Sequence, residues 1–235
     1  MKRTTILTSL AWLLCQPVLA APAVPTLQVL PTAAQFEALF PKRLSFYSHE
    51  GLLKAARSFP AFAGTGDEAQ RRRELAAFLG NIAHESDELR AVREYRKENY
   101  DHYCSLADGE RCAPGQQYYG RGPIQLSWNY QYRRAGEALG LDLWSDPDLV
   151  ARDPAVAWQT ALWYWMTQNG PGTMTAHAAM NGGPGFGATV RAINGVVECD
   201  KPGDPDAQRK IARRVAFYAL AARLFDVSPG PNLGC

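Results

Sequence analysis

The stretch at residues 82–94 reads IAHESDELRAVRE, and the fold of the chain is organised around it. In the residues that lead into it, apolar side chains recur at steps of three and four, at Leu75, Phe78, Leu79 and Ile82. This period predicts a helix with one buried face. The period is lost before Glu94, so we expect the helix to end or bend soon after Glu85.

The start of this helix is also marked in the sequence. Thr65 and Glu68 have the spacing of a capping box, in which two side chains satisfy each other's backbone N–H groups. Asp67 falls in the expected first turn, where the helix dipole favours a negative charge. The sequence therefore predicts that the helix begins at this point.

Glu85 and Glu94 are the candidate catalytic residues. Glu85 follows Ile82 by three positions and lies close to the buried face, where a carboxylate must be partnered or line a cleft. Two carboxylates on neighbouring elements across a cleft can split a glycosidic bond, one acting as acid and the other as base. The competing interpretation is a pair of ordinary solvated surface charges.

The composition is that of a globular protein of one or two domains, with a distinct N-terminus. Residues 1–20 are typical of a signal peptide, because a positive start, an apolar core at 5–14 and a small-residue cleavage site at Ala20 follow one another. Residues 21–31 are expected to form a linker before a single domain at 32–235. No later stretch is apolar for long enough to span a bilayer, so we expect a secreted or periplasmic protein.

The net charge and the spacing of the potential metal-ligating residues exclude several classes of partner. The formal net charge is +2 at pH 7 and falls to zero when the two basic residues of the signal peptide are removed. Neither a nucleic acid nor a membrane surface is therefore indicated. No metal is expected, because Cys-x-x-Cys pairs are missing and Glu88 occupies the place of the second histidine that a zincin helix starting at His84 would need. We expect a monomer without a cofactor.

Five cysteines are present, and Cys15 falls within the predicted signal peptide. The even number that remains indicates two disulfides in an oxidising compartment, with three pairings possible. A bond between Cys104 and Cys112 would close one loop, and a bond between Cys199 and Cys235 would tie the C-terminus to the body.

A glycine-rich aromatic segment, residues 118–132, follows a long irregular stretch. Ser127 is predicted to cap a helix that reaches about Leu139. The aromatic rings suit a platform for sugars, but such rings more commonly fill the core. We therefore expect only some of them to be exposed.

Further helices are predicted towards the C-terminus. Residues 154–167 begin with a proline and carry an apolar stripe, 174–181 form a short helix, 188–194 form another, and the last helix spans 205–225. No internal repeat or domain boundary interrupts them. The predicted fold class is a single, mainly α domain with long loops.

Together these segments resemble the family 19 glycoside hydrolases, the chitinases of plants and of some bacteria. The resemblance runs from about Phe36 to Cys235 and rests on residues 84–86, 119–130, 161–167 and 193–199. The short loops look like the compact bacterial form without a chitin-binding module. The resemblance implies a lysozyme-like helical fold with two lobes around a central cleft, an inverting mechanism and no metal.

The resemblance also implies a catalytic set. Glu85 matches the general acid, Glu94 the general base, and Ser127 the hydroxyl that helps to hold the attacking water. In an inverting hydrolase the carboxyls stand roughly 6.5–9.5 Å apart to admit that water, whereas nine residues of continuous helix would separate them by about 13.5 Å. The helix must therefore end after Glu85, and residues 86–87 are the expected place.

Further roles follow from the same resemblance. Gln125, Tyr130 and Asn194 match substrate-binding positions, while Glu198 and Arg214 match a charged network beside the acid. The acid must hold a proton near neutral pH, which partial burial favours and Arg214 opposes. We expect Glu198 to absorb the charge of that arginine.

One departure from the family pattern concerns the loop after the acid. Asp87 and Glu88 stand where the family commonly has glycines, which adds negative charge beside the cleft. Glu88 is therefore the fallback candidate for the base. His84 is expected to have a structural role.

The sequence favours an exported endochitinase that cleaves β-1,4 bonds between N-acetylglucosamine units with inversion. Two alternatives stay open. A cell-wall lysin would act on peptidoglycan, whose sugar backbone has the same linkage. A non-catalytic chitin-binding protein on a degenerate scaffold would bind without turnover, although the presence of both Glu85 and Glu94 argues against it.

Overall fold

Residues 28–235 are described by a computed structural model, and this part of the chain is helical. It contains no β-strand, only isolated antiparallel bridges that join Arg93 with Arg121 and Arg121 with Leu126. The helices are α1 Ala33–Leu39, α2 His49–Ala56, α3 Glu68–Glu85, α4 Asn129–Leu139, α5 Pro154–Thr167, α6 Ala176–Met180, α7 Phe186–Asn194 and α8 Pro205–Leu224, with 3₁₀-helices at Lys97–Tyr103, Ala107–Gly109 and Pro147–Ala151. The prediction of a mainly α fold is confirmed. None of these helices has the length and apolar character needed to cross a bilayer.

The predicted signal peptide and residues 21–27 of the predicted linker lie outside the described residues. The end of the linker, residues 28–31, is attached to the folded body. The Nε2 amide of Gln28 donates hydrogen bonds to the carbonyl oxygens of Ala56, Phe59 and Phe62. The segment therefore packs against the end of α2 and the turn that follows it.

The pairing of α3 with α8 forms the centre of the molecule. Where they cross, Gly80 lies so close to Tyr218 that a Cβ on Gly80 would stand 2.8 Å from the Tyr218 Cα. Only glycine permits this approach without displacing a backbone. On α3, Phe78 also packs edge to face against Trp165 of α5, with ring centroids 5.4 Å apart. These contacts fix the direction in which α3 runs towards Glu85.

A buried carboxylate on α3 anchors the neighbouring segments. Glu74 is 0% exposed and accepts hydrogen bonds from the backbone N–H of Ala63 at 3.0 Å and from Trp165 Nε1 at 3.0 Å. Asn181 Nδ2 donates to it at 2.9 Å, and His177 Nδ1 lies 2.6 Å from it. A carboxylate with this many partners is tolerated in a core. Glu74 thereby joins α3 to the preceding loop, to α5 and to α6.

The predicted N-cap of α3 is wrong. Asp67, and not Thr65, caps the helix: its carboxylate accepts the Gln70 N–H at 2.7 Å, and Gln70 Oε1 accepts the Asp67 N–H at 3.0 Å. Both candidate pairs satisfy the three-residue spacing of a capping box. The Thr65 hydroxyl instead donates to the Ala61 carbonyl at 3.1 Å. The sequence pattern therefore predicted that a capping box is present but assigned it to the wrong pair of residues.

Ser127 does not cap α4, contrary to the prediction. The helix begins at Asn129, and Trp128 occupies the cap position without a side-chain hydrogen bond. The Ser127 hydroxyl donates to the Gln125 carbonyl at 2.9 Å. A tight turn before α4, which the helical pattern does not report, displaces Ser127 from the cap.

The C-terminal helices lie close to their predicted positions. Proline is the first residue of both α5 and α8, at Pro154 and Pro205. Helix α7 begins at Phe186, two residues before the predicted Ala188. Gly185 sets that start, because its φ of 110° cannot be part of a helix.

Both suggested disulfides are present. Cys104 and Cys112 close a loop with a sequence separation of 8, and Cys199 and Cys235 join residues 36 positions apart. The second bond fixes the C-terminal tail to the segment after α7. Two closed loops of this kind reduce the entropy of the unfolded chain.

A left-handed turn follows α3 and redirects the chain. Residues 87–89 have φ values between 51° and 63°, a conformation that costs a residue with a Cβ roughly 1–2 kcal/mol. Ser86 supports the turn, because its Oγ accepts the Leu89 N–H at 3.0 Å and its carbonyl accepts the Arg90 N–H at 2.9 Å. The predicted end of the helix after Glu85 is confirmed.

Replacing Glu88 tests the strain in this turn. Glu88→Gly and Glu88→Ala remove the same charge, but only glycine adopts φ near 60° without a steric penalty. We expect the glycine variant to exceed the alanine variant in free energy of unfolding by about 1 kcal/mol. Urea denaturation monitored by circular dichroism measures the difference. Equal stability of the two variants would show that the turn is unstrained.

Candidate active site

An open cleft with a volume of about 860 Å³ lies beside the end of α3. Its walls come from the ends of α3, α5 and α7, from α4, and from the loops around residues 94 and 120–128. Six predicted site residues line it, namely Glu85, Glu94, Gln125, Ser127, Tyr130 and Asn194. Glu88 is not among the lining residues. The structure thus brings the predicted catalytic and substrate-binding positions to one surface.

On one wall, Glu85 is held by a buried arginine. Arg214 of α8 is 0% exposed, and its Nη2 donates to Glu85 Oε1. The same guanidinium donates to both oxygens of Glu198, at 2.9 and 2.8 Å, and to Asn81 Oδ1 at 3.0 Å. Burial lowers the pKa of Arg214, but the neighbouring carboxylates raise it by more, so the group stays charged.

Two carboxylates therefore share one guanidinium. Glu198 is 0% exposed and takes the bidentate position, which is the stronger geometry. It also accepts a hydrogen bond from Asn194 Nδ2 at 2.9 Å, so the network reaches the lining of the cleft. Because Glu198 neutralises Arg214, the charge of this buried guanidinium is paired independently of Glu85. The structure thus brings Glu198 and Arg214, the two residues that the resemblance places in a charged network, into contact with each other and with Glu85.

The surroundings of Glu85 are poorly solvated. Burial lowers the pKa of the preceding His84 to about 2, with further lowering by the charge of Arg214, and its Nδ1 has no hydrogen-bond partner. Burial, followed by the charge of Glu85, raises the pKa of Tyr164 across the cleft wall. His84 is therefore neutral and unsuited to donating a proton, as expected for a structural residue.

On the opposite wall, Glu94 is held by a short stretch of backbone pairing. Its N–H donates to the Gly120 carbonyl at 2.8 Å. Asn99 Nδ2 donates to Glu94 Oε1 at 2.8 Å. Burial, together with a hydrogen bond to Glu94, raises the pKa of Tyr103 to about 12, so Tyr103 is a donor to the carboxylate. These contacts orient the carboxylate of Glu94 towards the cleft.

An ion-pair network around the buried Arg121 supports the backbone that carries Glu94. Arg121 is 3% exposed, stacks on Tyr119 at 3.6 Å and donates to Asp148 at 3.0 Å. Arg93 donates to the same carboxylate at 2.6 Å. Burial would raise the pKa of Asp148, but the hydrogen bonds from Arg93 and Arg121 lower it below its usual value. The two arginines form the backbone bridge that joins the segments, and Asp148 links their side chains.

Two residues of the cleft adopt strained conformations. Gln125 has a φ of 53° and Trp128 a φ of 76°, although neither is glycine. Such strain is typical of functional sites, where the surrounding contacts impose it. Here the backbone N–H of Trp128 donates to the Tyr118 carbonyl at 2.9 Å, and the indole is left 38% exposed.

Three of the lining residues, Tyr103, Trp128 and Tyr130, form an aromatic row along the cleft. The rings of Tyr103 and Trp128 are 5.5 Å apart, and those of Trp128 and Tyr130 are stacked at 6.2 Å. Tyr118 and Tyr132, by contrast, are 1% and 0% exposed and belong to the core. The expectation that only some of the aromatic residues are exposed is confirmed.

Several site residues were missed by the sequence analysis. Asn99 and Tyr103 lie on the 3₁₀-helix Lys97–Tyr103, in a stretch with no helical or strand period. Tyr164 of α5 and Arg134 of α4 also line the cleft, and Arg134 follows Tyr130 by one helical turn. The spacing from Tyr130 to Arg134 is the one sequence signal that could have placed the arginine on the cleft.

Comparisons with known proteins give a consistent result. The family model of class I chitinases, glycoside hydrolase family 19, matches residues 37–235. Endochitinase A2 of Pisum sativum is 38% identical over 213 residues, which cover 81% of this chain and 64% of that protein. Chitinase 4 of Oryza sativa subsp. japonica is 42% identical over 194 residues, which cover 81% of this chain and 62% of that protein. The chain spans less than two thirds of the length of these relatives.

Solved structures of chitinases have the same fold. Chitinase C from Streptomyces griseus HUT6037 superposes with a TM-score of 0.82 at 47% identity, covering 87% of this chain and 79% of that one. A class IV chitinase of family 19 from Zea mays gives a TM-score of 0.75 at 36% identity, covering 87% and 96%. The predicted lysozyme-like helical fold with two lobes around a cleft is confirmed.

The buried network predicts a large effect on stability. Glu198→Ala leaves the guanidinium of Arg214 with one carboxylate, and we expect it to lower the free energy of unfolding by about 3 kcal/mol. Asp200→Ala removes the partner of Arg191 in a half-exposed pair and should have a far smaller effect. Urea denaturation of both variants measures the contrast. Similar losses would mean that the Arg214 network contributes little to folding.

Proposed function

The chain belongs to the family 19 glycoside hydrolases, the chitinases, and we propose that it is an exported endochitinase. It hydrolyses β-1,4 linkages between N-acetylglucosamine units and inverts the anomeric carbon. The observation that carries this proposal is that Glu85 and Glu94 line one cleft from separate walls. An inverting hydrolase requires this arrangement of an acid and a base on either side of the scissile bond.

Glu85 acts as the general acid. Its side chain is 15% exposed at the edge of the cleft, and Glu198 offsets the charge of Arg214 beside it. Its proton is transferred to the glycosidic oxygen as the bond to the anomeric carbon breaks. The Arg214 contact then stabilises the carboxylate that remains.

Glu94 acts as the general base. Asn99 and Tyr103 donate hydrogen bonds to its carboxylate, which fixes the direction of the group. A water held between Glu94 and the Ser127 hydroxyl loses a proton to the carboxylate and attacks the anomeric carbon from the face opposite the leaving group. Ser127 is available for this role because it lines the cleft and does not cap α4.

The rest of the cleft binds the polymer. Gln125, Tyr130 and Asn194 present amide and hydroxyl groups that pair with the hydroxyl and acetamido groups of the sugars. The aromatic row offers ring faces to the apolar faces of the pyranoses. The cleft is open rather than enclosed, which suits cleavage within a long chain.

Export is supported by two features. Residues 1–20 have the pattern of a signal peptide, and the four cysteines beyond it are paired in disulfides, which persist in an oxidising compartment. The mature protein is therefore secreted or periplasmic and begins close to residue 21. N-terminal sequencing of the exported protein tests this boundary.

Substitution of the two acids tests the catalytic assignment. Glu85→Gln and Glu94→Gln should each lower turnover of a hexamer of N-acetylglucosamine by roughly 10²–10⁴-fold, because a neutral amide cannot exchange a proton. Binding of the hexamer, measured by calorimetry, should be largely retained. Retained binding separates a lost proton transfer from a lost fold.

Glu88→Gln is the matched control. Glu88 is the alternative base by sequence, but it does not line the cleft and pairs with Arg90 at 3.3 Å. We expect turnover close to that of the unmodified protein. If Glu88→Gln proves more damaging than Glu94→Gln, the base has been assigned to the wrong residue.

The unmodified protein gives the stereochemical test. Release of soluble sugars from colloidal chitin, followed by NMR, should yield the α-anomer first, because one displacement inverts a β linkage. Initial β product would indicate retention. Chitin binding without turnover would favour the non-catalytic alternative.

A further inference from the structure

The 3₁₀-helix that orients Glu94 is not held in place by burial. Lys97–Tyr103 carries both hydrogen-bond donors to the Glu94 carboxylate, yet none of its residues is fully buried. A 3₁₀-helix of this length also has poor hydrogen-bond geometry of its own. Tyr100 stacks on Tyr119 with ring centroids 3.5 Å apart, which fixes the middle of the helix. The end that carries Tyr103 needs a further anchor.

Asn129, the first residue of α4, contacts the loop that follows Tyr103. The residue is 0% exposed, and its side-chain Oδ1 accepts the Ser105 N–H at 2.8 Å. Its Nδ2 donates to the Ser105 carbonyl at 2.9 Å and to the Arg111 carbonyl at 2.8 Å. Both hydrogens of the amide are therefore committed to this loop. The side chain joins the incoming arm of the loop, residues 104–106, to the outgoing arm, residues 110–112.

The disulfide of the same loop has a different effect. The bond between Cys104 and Cys112 fixes the two arms to each other but not to α4. The outgoing arm is tied to α4 a second time, because Arg133 Nη2 donates to Glu110 Oε1 at 2.5 Å. The position of the outgoing arm relative to α4 is therefore fixed by more than one contact.

The incoming arm, residues 104–106, depends on Asn129. Both hydrogen bonds of the Ser105 backbone go to the Asn129 amide. Ser105 is two residues beyond Tyr103, so a displacement of this backbone also displaces the Tyr103 side chain. The ring of Trp128, the residue before Asn129, meets the Tyr103 ring edge to face at 5.5 Å. The start of α4 thus holds both the ring of Tyr103 and the backbone that follows it.

The hydroxyl of Tyr103 is a donor to the Glu94 carboxylate, and a small misplacement of a catalytic group is costly to the rate. We propose that Asn129 is a positioning residue for the general base. By fixing the backbone beyond Tyr103, it keeps the Tyr103 hydroxyl on the carboxylate and the carboxylate directed at the attacking water. Asn129 is not among the residues that line the cleft, so it acts through Tyr103 and not on the substrate. This inference rests on the proposed glycosidase function.

A double-mutant cycle tests this route. The kcat for hydrolysis of the N-acetylglucosamine hexamer is measured for the unmodified protein, for Asn129→Ala, for Tyr103→Phe and for the variant that carries both substitutions. Binding of the hexamer is measured by calorimetry for the same substitutions in the Glu85→Gln background, in which turnover is too slow to interfere. Arg133→Gln is the matched control, because it removes a contact between α4 and the outgoing arm of the same loop.

We expect Asn129→Ala and Tyr103→Phe each to lower kcat about tenfold, which corresponds to the loss of one hydrogen bond to a charged group. The double variant should fall no further than Tyr103→Phe, because a residue that acts only through the Tyr103 hydroxyl has no effect once that hydroxyl is gone. Binding should be largely retained, and Arg133→Gln should leave kcat unchanged. An unchanged kcat in Asn129→Ala, or a double variant whose loss equals the product of the two single losses, would overturn the proposal.

A second variant keeps the test decisive if the alanine variant does not fold. Asn129→Asp leaves no cavity and keeps an acceptor for the Ser105 N–H, but it loses the Nδ2 group that donates to the two carbonyls. The same cycle and the same outcomes apply to it, and urea denaturation reports whether each variant is folded.

Failure of this proposal can be separated from failure of the proposed function. Hydrolysis of the hexamer by the unmodified protein, with a kcat that is insensitive to Asn129, would overturn the positioning role alone. Absence of hydrolysis by the unmodified protein would overturn the glycosidase function and this inference with it.

Discussion

A buried positive charge sets the conditions under which the rest of this structure forms. The guanidinium of Arg214 is withdrawn from water, which is costly unless carboxylates surround it. Glu198 supplies one from the segment after α7, and Glu85 supplies the other from the end of α3. Gly80 allows α3 and α8 to approach closely enough for these contacts. The position of the candidate acid is therefore a consequence of core packing.

The opposite wall of the cleft is built by other means. No regular helix or strand carries Glu94; a few backbone hydrogen bonds and the ion pairs of Asp148 with Arg93 and Arg121 hold its segment in place. The left-handed turn that separates the two walls is strained, as is the backbone at Trp128. The backbone preferences of non-glycine residues are violated in both of these segments. This is the pattern expected of a functional site.

Helix positions were predicted correctly where the sequence carries a clear periodic or proline signal. They were misplaced where two residue pairs fit the same motif. The end of α3 after Glu85 followed from the loss of period, and the start of α5 followed from its proline. The cap of α3 was misplaced because two residue pairs near Asp67 have the same spacing. Asn99 and Tyr103 were missed because a short 3₁₀-helix repeats no pattern along the chain.

The sequence by itself determined the helices, the family and the candidate acids, because apolar period, proline positions and motif residues are local properties of the chain. Only the tertiary structure decided which charges meet. Arg214 pairs with two carboxylates. Arg134 lies on the lining of the cleft while its neighbour Arg133 holds Glu110, and Glu88 is not among the lining residues. These arrangements depend on contacts between residues distant in sequence. Coulomb interactions and burial act through space, and spacing along the chain does not report them.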